Sequence, residues 1–242
     1  MARMINICKN ALFLALPIVG GCAAAATNIK PFPQTLEQKA IQLTAQDTLI
    51  LENAVKNQTI MFGESHLSQK DNDYVIKLLP ELKKLRYEYF AMERDASLND
   101  CYYPFHTQYN EFLFEQRYSR LHNYKRDAEI IKAARNEGLK IVFYDENPEK
   151  FGDGTIRNQL EFNNLKKLIF NKEPHAKVIV FCGAKHISEK PGFDITTKKS
   201  NEKQLGCFLD EYTNGRNYSV CLAGNDNAII TSYPDIRIEI DN

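Results

Sequence analysis

Two stretches decide the fold: Thr59-Ile-Met-Phe-Gly-Glu-Ser-His66 and Lys177-Val-Ile-Val-Phe-Cys-Gly-Ala-Lys-His186. Each is a short apolar run that ends at a glycine, with a histidine three residues beyond it. Runs of this length, apolar on every position, suit strands covered on both faces. Tyr89-Phe-Ala-Met92, Leu139-Lys-Ile-Val-Phe-Tyr144 and Tyr218-Ser-Val-Cys-Leu222 read the same way. Helical patterns stand between them. Ser68 can cap a helix over 70–86, where Val75, Leu78, Leu79, Leu82 and Leu85 share one side. Further helices are expected over 35–56 with a break near 45–47, over 125–137 closed by Gly138, over 157–171, and over 200–213 ended by Asn214-Gly215. The alternating Ile236-Arg-Ile-Glu-Ile240 suggests an edge strand or hairpin. Strands alternating with helices predict an α/β fold, a largely parallel β-sheet flanked by helices on both faces. Residues 97–124 hold eight of the aromatic residues without strand alternation and read as a small helical insertion.

The chain of 242 residues fits one such domain, here expected over 35–242. Hydrophobic residues at 43% and charged residues at 26% match a globular chain. Lys+Arg 31 balance Asp+Glu 31, so no basic excess draws in nucleic acid.

The first residues are not part of that domain. Arg3 and Lys9 precede the apolar stretch Ala11–Val19, which is too short to stay in a bilayer as a spanning helix. Val19-Gly-Gly-Cys22 resembles a bacterial lipobox, in which residues 1–21 are a signal peptide and Cys22 is acylated. The ordinary signal peptide, cut nearby, is the simpler alternative. Acyl chains would hold the protein on a membrane surface, each buried CH₂ contributing about 0.8 kcal/mol. Ala23 after the cysteine resembles outer-membrane sorting, which implies the bacterial cell envelope. Residues 22–34 read as a tether. Four cysteines remain in the domain: Cys101, Cys182, Cys207 and Cys221. An oxidising compartment permits disulfides among them, and the apolar settings of Cys182 and Cys221 equally suit buried thiols.

The candidate chemistry is positional. The strands end in Glu64-Ser-His66, Glu93-Arg-Asp95, Asp145-Glu146 and Lys185-His186. In a parallel sheet all carboxyl ends lie on one edge, where ligands bind. Histidines and acids distant in sequence should therefore gather on one rim. A single acid at a strand end is more often a cap or a solvated turn residue. Two histidines with Glu93 together favour a site. Arg157 falls near a helix start, where a cation opposes the helix dipole, so an anionic partner such as Glu64, Glu93 or a substrate oxyanion is expected. His106, His122 and His175 read as surface or packing residues.

With those residues in hand, the ordered set Gly63-Glu-Ser-His66, Glu93, Arg157-Asn158 and Gly183-Ala-Lys-His186 resembles a superfamily. It joins erythromycin-esterase-like hydrolases, the TIKI and TraB proteins, and the ChaN haem-binding lipoproteins. The resemblance covers about 58–224. Two departures are a short insertion and a tail without counterpart. The resemblance implies a hydrolase acting on an ester or amide bond in a small-molecule or peptide substrate. Two routes are implied. In one, His66, Glu93 and His186 hold one divalent metal ion that acidifies water. In the other, His66 is the general base, Glu64 or Glu93 orients it, and Arg157 with His186 stabilises the oxyanion. The ChaN side implies a different protein, one that binds haem for iron uptake, with tyrosine or histidine as axial ligand. A non-catalytic member of the fold is the third reading.

Overall fold

The computed structural model describes residues 42–65, 68–99, 124–145, 155–194, 199–222 and 235–237. His66, Glu146, Cys22, Cys101, His106, His122, the tether and nearly all of the 97–124 insertion lie outside these residues.

Helix α1 (Ala45–Lys56) starts where the sequence broke the helical pattern. Thr44 accepts from the Asp47 amide while Asp47 accepts from the Thr44 amide, a reciprocal cap. Strand β1 (Thr59–Glu64) follows, then α2 (Gln69–Lys84), whose Ser68 side chain accepts from the Asp71 amide as expected. Strand β2 (Tyr87–Asp95), α3 (Tyr124–Asn136), β3 (Lys140–Asp145) and α4 (Thr155–Leu165) come next. Gly138 closes the turn after α3 with φ 70°, a conformation that costs other residues more. A π-helical turn (Lys166–Phe170) extends α4. Strand β4 (Lys177–Gly183) leads to a two-stranded antiparallel hairpin, β5 (Gly192–Asp194) with β6 (Lys199–Glu202). Helix α5 (Leu205–Thr213) and strands β7 (Asn217–Cys221) and β8 (Ile236–Arg237) complete the order.

The main sheet runs β3-β2-β4-β1-β7-β8, and every pairing in it is parallel. From β1 the chain steps outward to β2 and β3, then reverses through β4 to β7. Crossovers of one hand put helices on opposite faces when the direction reverses. The core confirms this. Helices α1, α2 and α3 cover Ile60, Phe62, Phe90, Met92, Phe143 and Phe181, while α4 and α5 cover Met61, Ala91, Val142, Val180 and Cys182. The alternation within each strand is the two-residue period of the pleat. The reversal also opens the crevice beside β4, because connections leaving neighbouring strands turn to opposite faces.

Two expectations need correction, and one alternative is decided. Residues 199–202 form a strand rather than the first turn of a helix, because they pair with β5 and the helix is capped only at Gln204. The tail strand β8 pairs parallel with β7 at the end of the sheet, the edge strand of the two alternatives. Gly63 does not turn the chain. It lies inside β1, and a Cβ there would stand 2.9 Å from the Ala184 Cα and 2.8 Å from Ile187, so the glycine lets the turn after β4 pack onto β1.

Cys182 and Cys207 are buried free thiols, and Cys221 is buried as well. Gly63 pairs with Cys182 on one side and Cys221 on the other, so two strand spacings of about 4.8 Å each separate those two cysteines, beyond disulfide reach.

Candidate functional site

The carboxyl ends of β1 to β4 carry a buried group of charges, and the pleat sorts it into two parts. Met92 packs on the α3 side, and although the register of β2 shifts after it, Glu93 meets Arg157 of α4 and Arg94 turns to α3. Arg94 meets Asp127 of α3 in a bidentate pair at 2.7 and 2.9 Å, and its Nη2 lies 4.0 Å from the Glu64 carboxylate. Glu64 shares the parity of Phe62 and so stands on this same side, 2% exposed.

Glu93 opens the other part. Its Oε2 accepts the Gly183 amide at 2.6 Å. Its Oε1 accepts Nη2 of Arg157 at 2.8 Å and faces Nε2 of His186 at 3.2 Å. Arg157 also donates to both oxygens of Asp145, at 3.1 and 2.9 Å, and its Nε lies 3.0 Å from Glu161, one helical turn later on α4. The anionic partner expected of Arg157 is therefore Glu93 with Asp145 and Glu161, not Glu64. Arg157 is only 8% exposed, with its guanidinium committed to carboxylates.

His186 sits in the turn after β4, where its amide donates to the Gly183 carbonyl. Its ring is fixed from both ends. Nδ1 lies 2.6 Å from Oδ1 of Asn158, and Nε2 points at Glu93. The Leu205 amide donates to the same Asn158 oxygen, so that atom is an acceptor and Nδ1 carries a proton. Burial opposes a charge on His186, but the carboxylates of Glu93 and Glu161 outweigh it and lift the imidazole to about 9. The ring is thus an imidazolium at neutral pH, donating from both nitrogens. Glu161 is fully buried, and neither carboxylate oxygen accepts a hydrogen bond. Burial pushes its pKa up to about 8, with His186 opposing and Glu93 adding to the rise. Arg157 stays charged, since Asp145, Glu161 and Glu93 together outweigh the cost of its burial.

Glu93, Glu161 and His186 each offer a ligand atom, all within 4.8 Å of one another. The spacing would admit a metal ion, but the surroundings suit one poorly. Glu93 lies beside one ring nitrogen of His186 and Glu161 beside the other, at 3.6 Å. Both carboxylates also touch the Arg157 guanidinium, which already supplies a buried cation.

The sequence brought Glu93, Arg157 and His186 into view, and they meet. Glu64 lies on the other side of the sheet ends, and His66 is outside the described residues. Arg94, Asp127, Asn158 as a contact of His186, Glu161 and Gln204 were missed. Only the Arg157–Glu161 spacing of four residues on a helix carried a signal.

No protein-family model matches the chain, and no curated protein does. Solved structures do match, at low identity. The type III effector HopBA1 gives a TM-score of 0.53 at 14% identity, covering 84% of this chain and 100% of its own. RRSP, a MARTX toxin effector domain from Vibrio vulnificus, gives 0.52 at 16% identity over 81% of this chain. This chain spans only 40% of that structure. ChaN of Campylobacter jejuni, described with cofacially bound haem, gives 0.49 at 15% identity over 76% of this chain and 88% of its own. The chain thus shares an α/β fold with two bacterial effectors.

Proposed function

We propose that the protein is an envelope hydrolase of ester or amide bonds that works without a metal ion. The observation that supports this most is the buried group Glu93–Arg157–His186 at the carboxyl edge of the sheet, beside the topological reversal. Burying so many charges costs several kcal/mol per ion unless each is compensated. Such an arrangement is retained more readily for chemistry than for packing.

The roles follow from the protonation states. Both N–H groups of His186 are already given to Asn158 and Glu93, so it takes no proton from water and serves a developing oxyanion by its positive charge. Glu93 already accepts from Arg157 and the Gly183 amide, so it anchors His186 and takes no proton from water. Arg157 holds Glu93 and is a positioning residue. The general base is His66, two residues past Glu64, in the role the superfamily resemblance gives it. His66 takes a proton from water while the hydroxide attacks the carbonyl carbon. Collapse of the tetrahedral intermediate expels the alcohol or amine, which receives that proton from His66. The carboxylates near His186 are the only donors among the described residues that would hold a divalent ion, and Arg157 competes for both of them.

The haem reading would take a tyrosine or a histidine as axial ligand, and His66 and nearly all of 97–124 lie outside the described residues. The lipid on Cys22 and the envelope location belong to the same proposal.

One set of measurements tests it. The purified mature protein is screened against aryl esters and peptide amides, with EDTA and with haemin. Turnover that survives EDTA and disappears in His66→Ala is expected, with Cys22→Ser released from membranes. Turnover unaffected by His66→Ala, or a one-to-one haemin Soret band without any turnover, would sink the proposal. Continued pelleting of Cys22→Ser would refute the anchor.

A further inference from the structure

Resting on that hydrolase reading, we infer that Asn158 is a positioning residue that fixes the proton and the orientation of the His186 ring, and that Gln204 fixes Asn158 in turn. Asn158 is fully buried in the first turns of α4. Its Oδ1 lies 2.6 Å from Nδ1 of His186 and accepts the Leu205 amide at 3.2 Å. Its Nδ2 donates to Oε1 of Gln204 at 3.0 Å. The amide cannot turn over. The rotated form would set an NH₂ against the Leu205 N–H, two donors face to face, and would put the amide oxygen against that of Gln204.

A fixed acceptor at Nδ1 has a consequence on the other side of the ring. The proton there stays on Nδ1, and the ring plane is set so that Nε2 points along the rim at Glu93. Without Asn158, the carboxyl group of Glu161 lies 3.6 Å from Nδ1, and the ring is free to swing toward it. That rotation would withdraw Nε2 from the carboxyl edge. The element that carries this control is remote in sequence. Glu202, at the end of β6, accepts the Thr155 amide and caps the start of α4, and Gln204 and Leu205 then hold Asn158. The connection from the hairpin into α5 therefore orients a ring that lies in the turn after β4.

The test uses the full-length protein labelled with nitrogen-15. In the native protein the His186 Nδ1–H should give a hydrogen-bonded cross-peak protected from exchange with water. Asn158→Ala should abolish that peak and lower kcat about a hundredfold with little change in KM, the size expected when a reacting group is misplaced by an ångström. Asn158→Asp keeps the acceptor oxygen, and with the Gln204 amide turned to present its NH₂ to the second carboxylate oxygen it should restore the peak and most of kcat. An intact, protected peak with unchanged kcat in Asn158→Ala overturns the inference. Should Asn158→Ala fail to fold, Gln204→Ala is read instead. Faster Nδ1–H exchange with a roughly tenfold lower kcat supports the inference, and native values of both overturn it. The cross-peak needs no substrate, so Asn158 is decided even where the hydrolase reading fails.

Discussion

The two edges of the sheet use the same charged residue types in opposite ways. At the amino edge, Lys140 pairs with Glu173 at 2.9 Å with both side chains near half exposed, and Tyr89 donates to the same carboxylate. Lys177 reaches back to the Ala54 and Val55 carbonyls at the end of α1, a cation satisfying a helix C-terminus. These groups are dispensable ties in water. At the carboxyl edge, Arg157 and Glu93 pair at 2.8 Å with side chains 9% and 5% exposed, and His186, Glu161 and Asp145 share the same small volume. The distances are alike. The dielectric surroundings are not, and they decide what each pair is worth.

The largest expected effect is at Glu93. Glu93→Ala should leave Arg157 and His186 buried without their common anion, and urea unfolding should show a loss of about 3–5 kcal/mol. A loss under 1 kcal/mol would mean the carboxyl edge is as wet as the amino edge.

An intermediate effect is the dependence on pH. The His186 imidazole is lifted from 6.5 to about 9. A raised folded value means the folded state holds the proton more tightly, so the stability it brings is complete below pH 6.5 and is lost as pH rises through 9. Glu161, lifted from 4.5 to about 8, acts in the same direction over a lower window. Stability should therefore fall from about pH 5 to pH 9. Glu161→Gln should flatten the lower part of that curve and His186→Gln the upper part. A flat native curve would contradict the assigned protonation states.

The smallest effect belongs to the amino edge. Lys140→Ala should cost less than about 1 kcal/mol and should change little further in high salt. A cost equal to that of Glu93→Ala would erase the contrast between the edges.

Much of this was legible in the sequence because strand polarity is a global constraint. Once β1, β2, β3 and β4 are read as parallel, Glu93 and His186 must share a rim, and they do. Glu64 shows the limit. It ends a strand on the same rim, yet pleat parity turns it toward Arg94 and α3. Gly63 was read as the end of its apolar run, as Gly183 is of β4, because glycine more often ends strands than lets another segment pack against one. Asn158 entered the reading only beside Arg157, and Glu161 was legible only through its spacing of four residues from Arg157. They matter through partners that contact them across about 25 to 50 residues of chain, which no local pattern encodes.

The order and apolar character of the strands determined the α/β class and the edge on which charges collect, because burial on both faces leaves no other arrangement for such runs. Only packing in three dimensions decided which acid meets which cation and which nitrogen of His186 holds its proton. Those outcomes depend on ångström distances and on exclusion of water, quantities fixed by the neighbours of a side chain in space and not by its neighbours along the chain.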